Sequence, residues 1–355
     1  MENPTSIKRH WIAEIERIDS NFFKDLKNCT HRYDPQGVNK SNKYHLEEDG
    51  NVYGHTLMVY EKARELYPED EILQLACLLH DIGKPGCRFE NHEKESASFY
   101  NHESYGVFKA VGILNKLCLD VKDKVRVLEL IQRHADSYKL NIKNLLKLYT
   151  KEKIQDIIKI RWCDTLGRIK QDDDGLDIEQ IRDLESKIHL FKDSFETNSD
   201  KYPTCTILVG PPCSGKTTNS EFMNEVIVSR DNIVMQLGYN IKCKDYNESF
   251  KTVNQEVVQK EFQKNLEMIM ALGKDFILDL TNMTAKSRMK YMSQKDSKKY
   301  KFNAVVYLND LDVLLDRNSK RDGKVLSEKV IIDMISRFQI PYPGEGFNRI
   351  DYKFY

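Results

Sequence analysis

Histidine is missing from the second half of this chain. All nine histidines fall between His10 and His189, and residues 190–355 carry none. A histidine-ligated metal would therefore belong to the first half. Net charge is missing too, since 55 Lys and Arg balance 55 Asp and Glu. A neutral chain exerts no overall pull on polyanions, so any nucleic-acid contact must come from local basic groups. No apolar run approaches the roughly 18 residues of a membrane span. The first residues carry Lys8, Arg9 and His10 but lead into no apolar stretch of the signal-peptide kind. The eight cysteines (Cys29, Cys77, Cys87, Cys118, Cys163, Cys205, Cys213 and Cys243) form no Cys-x-x-Cys pair. Their scatter speaks against a zinc knuckle or a disulfide scaffold and predicts reduced thiols in a cytoplasmic protein. Internal repeats and low-complexity segments are absent.

What is present divides in two. A chain of 355 residues suggests two domains. Residues 57–66, 72–79, 106–117, 124–133 and 145–149 carry apolar side chains at three- and four-residue steps, the spacing of helices. Turn signals at 67–70 and 83–86 separate them. Strand signals are weak there, so an all-helical domain is expected over residues 1–198. The acidic stretch 170–175 precedes a charged helix over roughly 177–192. The polar stretch 196–200 marks the expected boundary. Beyond it, 205–209, 226–229, 276–278 and 303–308 are strand-like, with helical patterns at 257–272 and 285–292. Strands alternating with helices predict an α/β domain with a parallel sheet over 199–355.

Residues 210–217, Gly-Pro-Pro-Cys-Ser-Gly-Lys-Thr, fit the phosphate-loop pattern G-x-x-x-x-G-K-[ST] between a strand and a helix. Glycines there let backbone N–H groups turn toward phosphate oxygens, and the following helix adds its positive end. Gly210, Ser214, Gly215, Lys216, Thr217 and Thr218 are expected to hold ATP or another NTP. Lys216 would reach the β- and γ-phosphates, and Thr217 would hold Mg²⁺. After the second strand comes Arg230-Asp231. Asp231 is placed either to take a proton from an attacking hydroxyl or to cap a helix. Arg317 and Arg321 stand four apart, which predicts one helical face that suits developing phosphoryl charge or simply faces solvent.

Together these pieces resemble the kinase domain of the phage-type polynucleotide 5′-kinases. The matching elements are the phosphate loop, Arg230-Asp231, Asp279-Leu280-Thr281-Asn282 and the string Arg317-Asn318-Ser319-Lys320-Arg321. The segment 341–347 is similar to the end of related P-loop kinases. The resemblance spans about residue 202 to the C-terminus. It implies that Asp231 is the general base for a 5′-hydroxyl and that Arg317 and Arg321 grip the donor phosphates. One position departs from it. An arginine three residues after the base commonly holds the acceptor's phosphate, and here that residue is Val234. Lys242, Lys244 or Arg288 would then supply the contact.

In the first half, an apolar helical run ends in His80-Asp81 beside Gly83 and Pro85, where a helix end lets adjacent residues share a metal. His55, His102, His134 and Asp164 offer further imidazole and carboxylate groups, suited to a first-row transition metal that activates water against a phosphoester. The ordered set resembles the HD phosphohydrolase family over about residues 40–170. By that resemblance His55, His80, Asp81 and Asp164 are primary ligands. His102 and His134 match the extra ligands of two-metal members, and Lys84 is a phosphate contact. His92 sits in a similar Asn-His-Glu context, but the helix pattern after His102 favours His102.

An HD half followed by a kinase half resembles the bifunctional HD-domain polynucleotide kinases. That resemblance implies removal of 2′,3′-cyclic, 2′- or 3′-phosphates, 5′-phosphorylation of RNA or DNA ends, and a ligase acting downstream. The rival expectation is a nucleoside or nucleotide kinase fused to a nucleotidase.

Overall fold

A computed structural model describes residues 10–31, 51–93, 96–139, 141–168, 176–189, 201–220 and 225–355. The expected acidic stretch 170–175 and boundary stretch 196–200 lie outside them. The chain divides into two compact units, Met1–Asp193 and Ser194–Tyr355.

The first unit is helical. Its elements are α1 (Trp11–Ile18), α2 (Lys24–Asn28), α3 (Val52–Leu66), α4 (Glu71–Leu79), α5 (Lys84–Cys87), a ribbon of β1 (Arg88–Asn91) and β2 (Ser96–Phe99), α6 (His102–Lys116), α7 (Val121–Arg133), α8 (Asp136–Lys139), α9 (Ile142–Leu148), α10 (Lys151–Leu166) and α11 (Leu176–Ile188). Asp70 starts α4 by accepting the Leu73 N–H at 3.1 Å. Every residue from Leu73 to Leu79 is buried. A helix covered on all sides belongs at the centre of its unit, and α3, α7 and α10 pack around α4. Each buried leucine there contributes roughly 2 kcal/mol. The antiparallel ribbon pairs Arg88 with Phe99 and Asn91 with Ser96, a departure from the all-helical expectation. Its four-residue strands are too short to show a period of two.

Two glycine contacts set the site's geometry. A Cβ on Gly83 would lie 2.0 Å from the His102 carbonyl oxygen and 2.7 Å from the Gly106 nitrogen. The corner after α4 can therefore press against the start of α6. A Cβ on Gly167 would lie 2.7–2.8 Å from Val59, so the end of α10 closes onto α3.

The second unit is an α/β layer structure. Its elements are β3 (Thr204–Val209), α12 (Lys216–Ser220), β4 (Val226–Ser229), α13 (Arg230–Asn240), α14 (Tyr246–Thr252), α15 (Gln255–Leu272), β5 (Phe276–Asp279), α16 (Ala285–Met292), β6 (Lys301–Leu308), α17 (Leu311–Ser319), α18 (Glu328–Ile335) and β7 (Arg349–Phe354). The five strands are parallel, in the order β4-β5-β3-β6-β7. Leu208, Ile277, Val305 and Tyr307 pack together on the sheet. Because all strands run one way, the segments that follow β3, β4, β5 and β6 gather at one edge, where such sheets bind ligands. The edge strand β7 is additional to the four expected strands; Arg349, Asp351 and Lys353 alternate with Ile350, Tyr352 and Phe354, the period of two of a half-buried strand. Among the described residues no helix is long and apolar enough to cross a membrane.

Candidate active sites

In the helical unit four imidazoles share one arrangement. His55 Nδ1 lies 3.2 Å from the Gly167 oxygen and His80 Nδ1 2.7 Å from the Cys77 oxygen. His102 Nδ1 is 2.8 Å from the Phe99 oxygen, and His134 Nδ1 is 2.8 Å from the Ile131 oxygen. A carbonyl only accepts, so each Nδ1 carries the proton and each Nε2 presents a lone pair. All four lone pairs face carboxylates.

Asp81 lies between them. Its Oδ2 is 3.1 Å from His80 Nε2 and 3.5 Å from His55 Nε2, while its Oδ1 is 3.3 Å from His102 Nε2. Asp164 Oδ1 is 3.2 Å from His55 Nε2. Two groups result, His55–His80–Asp164 and Asp81–His102–His134, each with ligand atoms within 4.8 Å of one another. Asp81 turns one oxygen toward each side.

Acceptors that face acceptors repel unless a positive centre lies between them. His80 Nε2 and Asp81 Oδ1 are buried without a hydrogen-bond partner, and two divalent cations would satisfy both. The residues present fit such a pair. For the two carboxylates and His134 the electrostatics agree. Burial raises the Asp81 carboxyl, but His80 and Lys84 outweigh it and hold Asp81 well below the carboxylate range. Burial also raises Asp164, and Arg168 and His55 reverse that. Burial, then His102 and His80, push the His134 imidazole down to about 4. Burial lowers the His80 imidazole, but Asp81 outweighs it and raises it; a bound cation would displace the proton this favours, because deprotonated carboxylates and neutral imidazoles are the forms that ligate metal.

Outer residues hold these ligands. Tyr138 donates its hydroxyl to Asp164 Oδ2 at 2.9 Å, and Arg168 pairs with the same carboxylate. Lys84 Nζ donates to Asp81 Oδ2 at 2.5 Å and lies 2.9 Å from His31 Nε2.

In the α/β unit the phosphate loop turns through Gly210 at φ 154°, Cys213 at 66° and Gly215 at 90°. Lys216 Nζ donates to the loop's own Gly210 and Pro211 oxygens, each at 2.7 Å. Burial pushes this ammonium down to about 8. Thr217 donates its hydroxyl to Asp279 Oδ2 at 3.0 Å, a hydroxyl–carboxylate pair suited to Mg²⁺. Ser214 is fully buried, and Thr218 faces outward. Asn309 ties the loop to the sheet by donating to the Ser214 oxygen at 3.1 Å. Asp231 is the second residue of α13, with Ser229 as its N-cap. It accepts from Tyr246 at 2.7 Å and pairs with Lys324.

A family model described as the HD domain matches residues 52–169, and one described as an AAA domain matches residues 206–341. The chain joins an HD domain to a P-loop kinase-like domain. No curated protein matches it. Among solved structures, a kinase candidate from Chloroflexus aurantiacus j-10-fl covers 44% of this chain and 86% of its own, at 17% identity and a TM-score of 0.35.

The HD domain thus brings together His55, His80, Asp81, His102, His134 and Asp164. His92 lies on the exposed β1–β2 turn, outside both groups. Lys84 is engaged by Asp81 and His31. His31, Tyr138 and Arg168 escape sequence reasoning. Only Arg168 leaves a signal, a cation four residues after Asp164, although α10 itself ends at Leu166.

Two expectations for the kinase-like domain need correction, and one residue is added. Arg317 and Arg321 do not share a helical face, because α17 ends at Ser319. Arg317 donates to the Cys213 oxygen at 3.3 Å and to Asn309 Oδ1 at 2.9 Å, whereas Arg321 acts electrostatically on Asp231. Arg288 is fully buried and cannot meet an acceptor. It donates to both Glu345 oxygens at 2.6 and 2.7 Å, tying segment 341–347 to α16. Asp279, quoted only within a motif, joins the site, and its place at a strand's C-terminal end was the available signal.

Proposed function

We propose that this chain heals nucleic-acid ends, its HD domain hydrolysing 2′,3′-cyclic, 2′- or 3′-phosphates and its P-loop domain phosphorylating 5′-hydroxyls with ATP. The observation that carries the hydrolytic half is Asp81, one carboxylate offering an oxygen to each of two imidazole groups. Divalent cations held there supply Lewis-acid activation of the phosphoester and of water. Around them, Tyr138 and Arg168 fix Asp164, and Lys84 is poised over Asp81 to meet a phosphate oxygen.

In the kinase half, Lys216 would exchange the Gly210 and Pro211 oxygens for β- and γ-phosphate oxygens. Thr217 and Asp279 would hold Mg²⁺, and Arg317 lies against the same loop. Burial raises Asp231, but Lys324 and Tyr246 reverse this and keep the carboxylate ionised. It takes the proton of the attacking hydroxyl. That oxygen bonds to the γ-phosphorus as the bond to the β–γ bridging oxygen breaks, and ADP leaves.

One observation favours a second reading, a small-molecule kinase joined to a nucleotidase. Val234 is 1% exposed, so the position that would carry an acceptor-phosphate arginine is core. Labelled ATP offered with either a 5′-hydroxyl oligonucleotide or free nucleosides separates the two. Transfer to the oligonucleotide is expected. Label found only on nucleosides would establish the rival.

A further inference from the structure

Three observations converge around Asp231. First, Lys324 bends back onto Asp231. Gly323 stands at φ 61°, and its Cβ position lies 3.5 Å from the Asp245 Cβ, so the turn after Arg321 packs beside the start of α14. Lys324 pairs there with Asp231 and lies 3.8 Å over the Tyr246 ring. Second, Tyr246 stacks on Phe250 at 5.9 Å and 23°, and Phe250 leaves 45% of its surface open. Third, Arg321 Nη1 and Arg230 Nε are buried without a hydrogen-bond partner, and both arginines act electrostatically on the Tyr246 hydroxyl. A base carboxylate thus sits among cations and a flat aromatic face.

An uncharged alcohol would make no use of this surplus of donors. A hydroxyl joined to an aromatic base and a neighbouring phosphate would use all of it. The Lys324–Asp231 pair is partly exposed, with side chains 21% and 54% accessible. Such pairs are weak, so a phosphate can draw Lys324 away at small cost.

We infer that Lys324 is a specificity-determining residue of the acceptor site, which binds the phosphate flanking the reactive hydroxyl and so selects nucleotide over nucleoside. This rests on the kinase reading given above. Lys242 and Lys244 lie in the exposed turn between α13 and α14, whereas Lys324 touches the base carboxylate itself.

The test compares adenosine 3′-monophosphate with adenosine as acceptors. It is run on an Asp81→Ala background so that the HD domain does not strip the phosphate. In that parent, kcat/KM is expected to favour the monophosphate. Lys324→Ala should shrink this preference by about tenfold or more, leave the KM for ATP in place, and yield to partial rescue in Lys324→Arg. A merely structural lysine would lower both acceptors together, so the ratio isolates phosphate recognition. Should Lys324→Ala fail a thermal-melt check, Lys324→Gln against Lys324→Arg gives the same comparison. An unchanged ratio in an active enzyme overturns the role of Lys324 alone. A parent that phosphorylates neither acceptor nor an oligonucleotide overturns the kinase reading and this inference with it.

Discussion

Asp81 is the residue on which the hydrolytic centre turns, since each of its oxygens faces a different imidazole group. Asp81→Ala is expected to reduce phosphoester hydrolysis to background and to lower the divalent metal bound per chain, read by plasma mass spectrometry. Tyr138→Phe removes only the hydroxyl that orients Asp164. Its expected effect is about 10- to 100-fold weaker metal binding or activity, measurable by cation titration of hydrolysis. In the other domain, Lys324 and Tyr246 hold Asp231 below its ordinary range against burial, which pushes it up. Kinase activity needs the ionised form, so it falls as pH drops through the Asp231 pKa. Removing Lys324 raises that pKa, and the acid limb of the pH–rate curve should move upward. An unmoved limb would separate Lys324 from the base. Residues of strong chemical type at element ends, such as His80, Asp81, Lys216 and Asp231, were legible in the sequence. His31 was not, because it lies outside any regular element, and Lys324 was hidden by a glycine turn whose direction no local pattern reveals.

At the scale of elements, the helical domain depends on close approaches and one shared cation. Gly83 has an ordinary φ of −81°, so an alanine there meets steric resistance from α6 rather than backbone strain. Gly83→Ala is expected to cost about 1–3 kcal/mol and to weaken hydrolysis more than stability, by displacing His102 from Asp81. Arg126 donates to Asp70 at 2.6 and 2.8 Å and to Asp156 at 2.7 and 2.8 Å, joining the start of α4 to α7 and α10. Burial raises the Asp70 carboxyl, but Arg126 holds it down to about 2. Its folded pKa lies below the unfolded value of about 3.9. The pair therefore contributes about 2 kcal/mol above that pH, and this is lost as pH falls toward 2. Arg126→Ala should remove that margin near neutral pH and flatten the acid side of the stability profile, seen by calorimetry across pH. Long amphipathic helices and buried strands were legible here because their periods repeat. The β1–β2 ribbon was not, being short, and the end of α17 at Ser319 went unmarked because no glycine or proline punctuates it; β7, which alternates charged and apolar residues, carried a strand signal that went unused.

On the reading proposed above, the whole molecule carries two chemistries on one chain, each with its own cations and phosphate contacts. Lys216→Ala or Asp231→Ala should abolish 5′-phosphorylation and spare 3′-end hydrolysis. His80→Ala or Asp81→Ala should do the reverse. Loss of both activities in a folded single variant would contradict independent sites. The division into a helical and an α/β half was readable from histidine placement and the change of period near residue 200. The acceptor was not readable, because substrate choice depends on side chains that only the fold brings beside Asp231. The most direct measurement is to incubate the protein with ATP, Mg²⁺, a transition metal and an RNA oligonucleotide bearing a 5′-hydroxyl and a 2′,3′-cyclic phosphate, and to read the mass of both termini. The expected product carries a 5′-phosphate and a free 3′-end diol. An oligonucleotide recovered with both ends unaltered, while free nucleosides are phosphorylated in the same mixture, would contradict it.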